Sequence, residues 1–373
     1  MKIGIDARFY GPNVGGGGLG RYVAELLDRL DAQKAPHTFV VFLNEEGFRL
    51  FKPKGRHMHK RVVPVRWYTF AEQIRMPAII DRECCDLVHI PHWNVPLCLR
   101  TPFVVTIHDL ILMEERRSAR AASLLPPGLF EVKRMGYRAV LHHALWKSRR
   151  VIAVSDFTRA RIMAHFPKLP PEKISVIHEG APGEATGGAG NRRVAGPYFL
   201  YVGNAYPHKN LESLLHAFSF FVKAHPEVKL VLAGKTNVFY ERLRKELEEI
   251  AIPSSSVVFT GFVSDEDLAD LYRFATACLF PSRHEGFGLP PLEAMSHGTP
   301  VAASSTSAFP EILGDAALFF DPDDLEAMVR IMEKLLQDQA LRQELIQKGR
   351  QQKKHYSWDT MAERTRRLYE ESL

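Results

Sequence analysis

Arg283-His284-Glu285-Gly286-Phe287-Gly288-Leu289-Pro290-Pro291-Leu292-Glu293-Ala294-Met295 sets two carboxylates eight positions apart, with a glycine-punctuated loop between them. Pro290 and Pro291 suit the first turn of a helix, where a missing amide hydrogen costs nothing. Gly298 and Pro300 then stop that helix. Its N-terminus faces the loop, with free backbone donors and a partial positive charge suited to an anion such as pyrophosphate. Gly286 and Gly288 let a ligand approach the backbone, and Glu285 and Glu293 can accept hydrogen bonds from hydroxyls on either side of the anion. Hydroxyls flanking a diphosphate describe a nucleotide sugar. The bare spacing also arises by chance, and a glutamate in a first helical turn is a common dipole partner without function.

Outward from this loop, short apolar runs alternate with longer helical patterns. Strands are expected near 2–6, 38–43, 62–65, 86–90, 103–107, 151–154 and 174–177, then near 198–202, 229–233, 257–260, 277–280, 299–303 and 318–320. Continuous apolar strands separated by helices indicate parallel sheets covered on both faces. The α/β pattern occurs twice, so two Rossmann-like domains facing across a cleft are expected, with ligands at the carboxyl ends of strands. Boundaries are expected at 1–182 for an N-terminal domain, 183–197 for a Gly-rich linker, and 198–356 for the domain that carries the nucleotide-sugar loop.

The 373 residues suffice for two cores, and 46% hydrophobic with 25% charged residues is a globular composition. No apolar run approaches the ~18–20 residues a bilayer crossing needs. Lys2 to Asp6 reads as a strand at once, leaving no room for a signal peptide, and Cys84, Cys85, Cys98 and Cys278 show neither metal-ligand nor disulfide spacing. A cytoplasmic location is expected. The net charge of +6 divides into +10 over 1–190 and −4 over 191–373. A basic half suits an anionic membrane, nucleic acid or an anionic substrate, or is scattered surface charge.

The complete string from Arg283 to Met295, with the Gly298-Thr299-Pro300-Val301 strand entry, resembles the Glu-x7-Glu signature of retaining GT-B glycosyltransferases of the family-4 type. The resemblance implies the GT-B fold, a final helix (357–373) crossing back to the first domain, and no cofactor, the nucleotide-sugar donor being a substrate. Gly15-Gly16-Gly17-Gly18-Leu19-Gly20 opens a helix after the first strand. A glycine-rich turn alone is weak evidence, but in the family pattern Gly17 and Gly18 approach the donor's distal phosphate. Walker-type ATP use is not expected, as no Gly-Lys-Ser/Thr follows. His108 ends a buried strand and matches the family histidine that touches the transferred sugar, a satisfied structural histidine being the alternative. Asp109 reads as a capping or orienting residue. Lys209 stands where the family places its pyrophosphate-binding lysine, able to neutralise charge on the departing diphosphate. Many relatives carry an arginine nearby, whereas Asn204 and His208 stand here, leaving a protonated His208 or Arg283 as candidate replacements. Backbone near Val263 would hold the base, and Asn204, Gly286, Phe287, Gly288, Leu289 and Glu293 complete the donor set. Ser155 heads either a family turn or a plain N-cap.

Asp265-Glu266-Asp267 and Asp321-Pro322-Asp323-Asp324 read as helix caps, so no metal is expected. The pattern from Leu129 to Lys147 places cations between helically spaced apolar residues: either a solvated domain helix or a docking face for anionic lipid, each basic residue adding ~1 kcal/mol. Arg116-Arg117-Ser118-Ala119-Arg120 and the run from Lys52 to Arg61 belong to the same basic half. Trp67-Tyr68-Thr69-Phe70 and His92-Trp93-Asn94 either line an acceptor side or simply pack.

The expectation is therefore a metal-independent enzyme with His108, Lys209 and Glu285 as catalytic residues. By resemblance to bacterial enzymes of O-antigen and exopolysaccharide synthesis, it would transfer a hexose, best read as mannose, with retention from a GDP- or UDP-linked donor. The acceptor would be a saccharide or polyprenyl-linked saccharide. The inner membrane face is a further expected partner, and nucleic acid is not, since no aromatic-and-basic recognition motif is present. A sugar-nucleotide epimerase on the same fold, or a non-enzymatic membrane- or nucleic-acid-binding protein, are the alternatives.

Overall fold

The computed structural model describes residues 1–11, 17–33, 36–115, 118, 120, 127–183, 190–250 and 252–373. Gly15, Gly16, the core of the Gly-rich linker and Arg116, Arg117 and Ala119 lie outside them. The chain forms two α/β units, each built on a parallel sheet.

The first unit comprises 1–113, 125–180 and 357–373. Its strands are β1 (Lys2–Asp6), β2 (Thr38–Leu43), β3 (Met58–Val62), β4 (Leu87–Ile90), β5 (Phe103–Ile107), β6 (Arg150–Ala153) and β7 (Ile174–Val176), in spatial order β3-β2-β1-β4-β5-β6-β7. Val40, Phe42, Val88, Val105 and Val151 are each at most 1% exposed, which is why these strands read as unbroken apolar runs. The packing leaves no space above Gly4: a Cβ there would lie 2.9 Å from Phe42. The strand expected at 62–65 is instead β3, several residues earlier. β3 pairs only with β2 at the sheet edge, so His59 and Arg61 can face water and the strand has no apolar signature. The final helix, Trp358–Glu370, buries Trp358, Met361, Thr365 and Tyr369 at helical spacing and belongs to this unit, against the helix Gly18–Ala32.

The second unit comprises 114–124 and 181–356. Its strands are β8 (Tyr198–Val202), β9 (Lys229–Ala233), β10 (Val257–Gly261), β11 (Ala277–Phe280), β12 (Val301–Ser304) and β13 (Ala317–Phe320), in order β10-β9-β8-β11-β12-β13. The helix Leu211–Ala224 buries Leu214, Leu215, Phe218, Phe221 and Val222, one continuous apolar stripe. The acidic strings are caps, as expected: Ser264 accepts from the Asp267 amide over 3.1 Å, and Asp324 from the Ala327 amide over 2.8 Å. Among the described residues no helix is long and apolar enough to cross a membrane.

Candidate active site

The strand order of the second sheet reverses between β8 and β11, and open parallel sheets hold ligands outside the carboxyl ends of strands at such a point. The loop after β8 ends in the single 3₁₀ turn Pro207–Lys209, and the loop after β11 carries Glu285. There the Lys209 ammonium lies 2.5 Å from Glu285 Oε1, the two side chains being 15% and 17% exposed. The Ser282 hydroxyl donates to the same oxygen over 2.9 Å. The Arg283 amide donates to the His208 carbonyl over 2.8 Å, tying the two loops together. Both charged residues are expected members of the site. Their direct pairing across 76 positions is a finding of the structure.

Beyond Glu285 the chain turns at Gly288, whose φ of +104° is a left-handed conformation suited to glycine. A Cβ there would also lie 2.7 Å from the Phe309 ring. The helix Leu289–Ser296 follows, with its prolines in the first turn, so the amides at its start lack partners within the helix. Gly286 and Gly288 are buried. Phe287 and Leu289 are only 4% and 6% exposed, and the Phe287 ring meets Tyr356 edge-on at 5.4 Å. They anchor the loop, which at those positions offers a ligand backbone rather than side chain. Glu293 sits one turn inside the helix, not in its first turn, and its Oε2 accepts from the Tyr272 hydroxyl over 3.1 Å.

Asn204 is exposed in the loop after β8, and its Oδ1 accepts from the Tyr206 amide over 3.3 Å. Buried tyrosines hold the adjacent backbone: Tyr240 donates to the Gly203 carbonyl over 2.8 Å and Tyr201 to the Asn204 carbonyl over 2.6 Å. Val263 is half-buried just past β10. Of the two candidates for the extra phosphate cation, His208 is not a charged group here. His208 is 7% exposed and donates its amide to Ser118 Oγ over 2.9 Å. Burial, then Lys209 and His284, push its imidazole down to about 2, so it is neutral. Arg283 pairs with Asp323 at 2.6 Å.

In the first unit Gly17, at φ +109°, precedes the helix Gly18–Ala32 as an exposed N-cap with no side chain to satisfy the first amides. His108 follows β5, with both ring nitrogens engaged: Nδ1 with Glu179 Oε1 at 2.8 Å and Nε2 with the Pro91 carbonyl at 3.1 Å. The Tyr22 ring meets it edge-on at 4.8 Å. Asp109 accepts from the Ile111 amide over 2.9 Å, and Ser155 from the Thr158 amide over 3.0 Å; both serve their local turns. Glu179 went unread in the sequence, although it lies just past β7, at the strand end where ligand-facing residues collect. Glu114, Glu115 and Ser118 were also missed as site neighbours, and no local signal marks them.

Comparison with known proteins gives a consistent picture. Residues 16–182 match the Glycosyltransferase Family 4 model and residues 189–352 the model of Glycosyl transferases group 1. The chain is 33% identical over 239 residues to O-antigen chain mannosyltransferase B of Escherichia coli, the match covering 61% of this chain and 62% of that protein. A serotype-specific mannosyltransferase of Escherichia coli, WbdA, is 37% identical over 44% of this chain but only 20% of its own length. The chain thus spans less than two thirds of these relatives. Among solved structures, sucrose-phosphate synthase from Thermosynechococcus elongatus superposes with a TM-score of 0.77 at 21% identity, covering 100% of this chain and 98% of the other. Anabaena Alr3699/HepE in complex with UDP-glucose gives 0.74 at 15% identity, covering 99% of each.

Proposed function

Because this chain belongs to the GT-B glycosyltransferases, we propose that it transfers a hexose, with mannose the best reading, from a nucleotide sugar to a saccharide or polyprenyl-linked saccharide acceptor, with retention and without a metal. The observation that carries the proposal is the Lys209–Glu285 pair at the reversal of the second sheet, beside the start of the helix Leu289–Ser296. The mannosyltransferase relative supports mannose, and the neighbour bound to UDP-glucose supports a nucleotide-linked donor. In this reading Lys209 and the helix amides meet the leaving diphosphate, where fixed donors act on charge that develops in the transition state. Glu285 holds the ammonium in place and bonds a sugar hydroxyl, and Glu293 takes the ribose hydroxyls. Gly17 and Gly18 offer amides to the distal phosphate. His108, held by Glu179, presents its ring to the sugar. With the leaving phosphate itself helping to deprotonate the acceptor, attack on the donor's own face preserves the anomeric configuration.

A thermal-shift panel of GDP- and UDP-linked sugars identifies the donor, because a bound ligand stabilises the native state in proportion to its occupancy. NMR of the product's anomeric proton then reads the stereochemistry, and an inverted product would end the retaining assignment. An epimerase would convert the donor with no acceptor present.

Glu293→Ala should raise the donor Kd by about 10- to 100-fold, the worth of hydrogen bonds to a charged group. Calorimetric titration measures it, and an unchanged Kd would remove Glu293 from the site.

The helix Pro127–Lys147 exposes Leu129, Val132 and Met135 by 56%, 64% and 70% along one stripe, with Lys133 and Arg138 exposed beside them. The protein should therefore bind vesicles containing anionic lipid, each basic residue near the surface contributing about 1 kcal/mol, and release them as salt rises. Val132→Glu with Met135→Glu should abolish co-sedimentation. Equal binding by that variant would leave the stripe a plain solvated face.

A further inference from the structure

Residues 114–124 are flanked on both sides by the first unit, yet they belong to the second. Ser118 is 3% exposed there, although in the sequence it sits among arginines that suggest a solvated basic patch. It is held at the neighbour of Lys209: it accepts the His208 amide over 2.9 Å, and its hydroxyl lies 3.1 Å from His208 Nδ1. One hydroxyl thus meets both backbone and ring. Glu115 Oε1 lies 2.9 Å from His284 Nε2, and Glu114 Oε2 lies 3.5 Å from His284 Nδ1. His284 is the neighbour of Glu285. One short segment thus grips the histidine that precedes each member of the Lys209–Glu285 pair.

We propose that Glu114, Glu115 and Ser118 are positioning residues that set the Lys209–Glu285 pair by clamping these two histidines. Only the donor-binding part of this idea rests on the function proposed above. The two halves of the clamp differ in chemistry. The His208 half joins neutral groups and is indifferent to pH. The His284 half is ionic: the pairing with Glu114, against burial, and the charge of Glu115 raise the imidazole above its ordinary value of 6.5. A raised value means that the charged pairing is complete at low pH and is lost as pH climbs through the raised value. Around His284 stand Glu114 and Glu115 on the segment, with His208, Lys209 and Glu285 on the two site loops. A second titration near neutrality is therefore not expected from this cluster, since His208 is already neutral.

The test uses the full chain with two variants, Ser118→Ala and the double variant Glu114→Gln/Glu115→Gln. Without any ligand, Ser118→Ala should speed hydrogen exchange at the His208 amide about fivefold, the worth of one hydrogen bond. In the double variant the His284 imidazole, followed by NMR, should titrate at lower pH than in the parent. With GDP-mannose or UDP-glucose as probe, whichever the parent binds, both variants should raise the donor Kd by about fivefold or more, with only a small drop in Tm in its absence. The parent's affinity should weaken as pH rises through the His284 titration, and the double variant should lose that dependence. Unaltered His208 exchange together with an unaltered His284 titration would overturn the clamp. Altered exchange and titration with unaltered donor affinity would overturn its positioning role. A parent that binds no nucleotide sugar would sink the proposed function, while the exchange and titration results would still decide the clamp.

Discussion

Replacing Lys209 by alanine should slow sugar transfer by about 10²- to 10³-fold at saturating donor, the cost of deleting one fixed donor aimed at developing charge. The effect belongs mainly in kcat. In the proposed arrangement the ground-state diphosphate would share its charge with the amides at the start of the helix Leu289–Ser296, whereas the departing phosphate needs a full positive charge beside it. Glu285 loses its ammonium partner in this variant but keeps the Ser282 hydroxyl at 2.9 Å. Being 17% exposed, it also gains water, so the fold should survive with only a small drop in Tm. Lys209→Arg should recover part of the rate: it restores the charge but replaces a compact ammonium with a planar fork that does not fit the 2.5 Å approach to Glu285. Single-turnover rates at saturating donor provide the check, and a kcat within a few-fold of the parent in Lys209→Ala would remove the lysine from the chemistry.

The largest stability effect is expected in the first unit, at Arg8. Its side chain is 1% exposed and its guanidinium bonds Asp6 through Nε at 2.8 Å and Nη2 at 2.6 Å, with Nη2 also 2.6 Å from Glu72. Glu72 is wholly buried and in turn accepts from the Tyr68 amide at 2.7 Å and from Asn94 at 2.5 Å. Arg8→Met should therefore cost about 3–5 kcal/mol, because two carboxylates stay behind without a counter-charge. Burial already raises the Glu72 carboxyl above its ordinary value, with Arg8 opposing. Without the arginine that rise grows. A group raised in the folded state is destabilising once the pH exceeds its unfolded value, so the variant's deficit should shrink as pH falls toward the carboxylate range. Arg8→Met combined with Asp6→Asn and Glu72→Gln should regain much of the loss, since no buried charge then remains. Chemical denaturation at two pH values measures all of this. A deficit below about 1 kcal/mol, the range of a surface pair, would show that the network is solvated.

Much of the architecture was legible beforehand because a strand in the middle of a parallel sheet is buried on both faces. Leu200, Val231 and Ala302 are at most 1% exposed, and such strands announce themselves as apolar runs. β3 escaped because it pairs on one side only. The loop from Arg283 to Met295 was equally readable, its glycines and prolines carrying backbone information that survives in one dimension. The ionisation of His208 was not. A histidine beside a lysine reads as an auxiliary cation, and only its burial, with Lys209 and His284 close by, makes it neutral. The same holds for His108: its place at a strand end was readable, but the engagement of both its nitrogens was not.

Sequence alone determined the two repeating α/β patterns, the order of their strands along the chain, and the residue types gathered at the carboxyl ends. Those follow from periodicity and turn chemistry, which act between neighbours. Tertiary structure alone decided that Lys209 meets Glu285, that Glu179 holds His108, and that Glu114, Glu115 and Ser118, set in sequence within the first unit, belong to the second and grip two of its histidines. These partners lie tens to more than a hundred positions apart. Only the folding of each sheet brings their charges within a few ångströms, where burial and pairing set protonation and position.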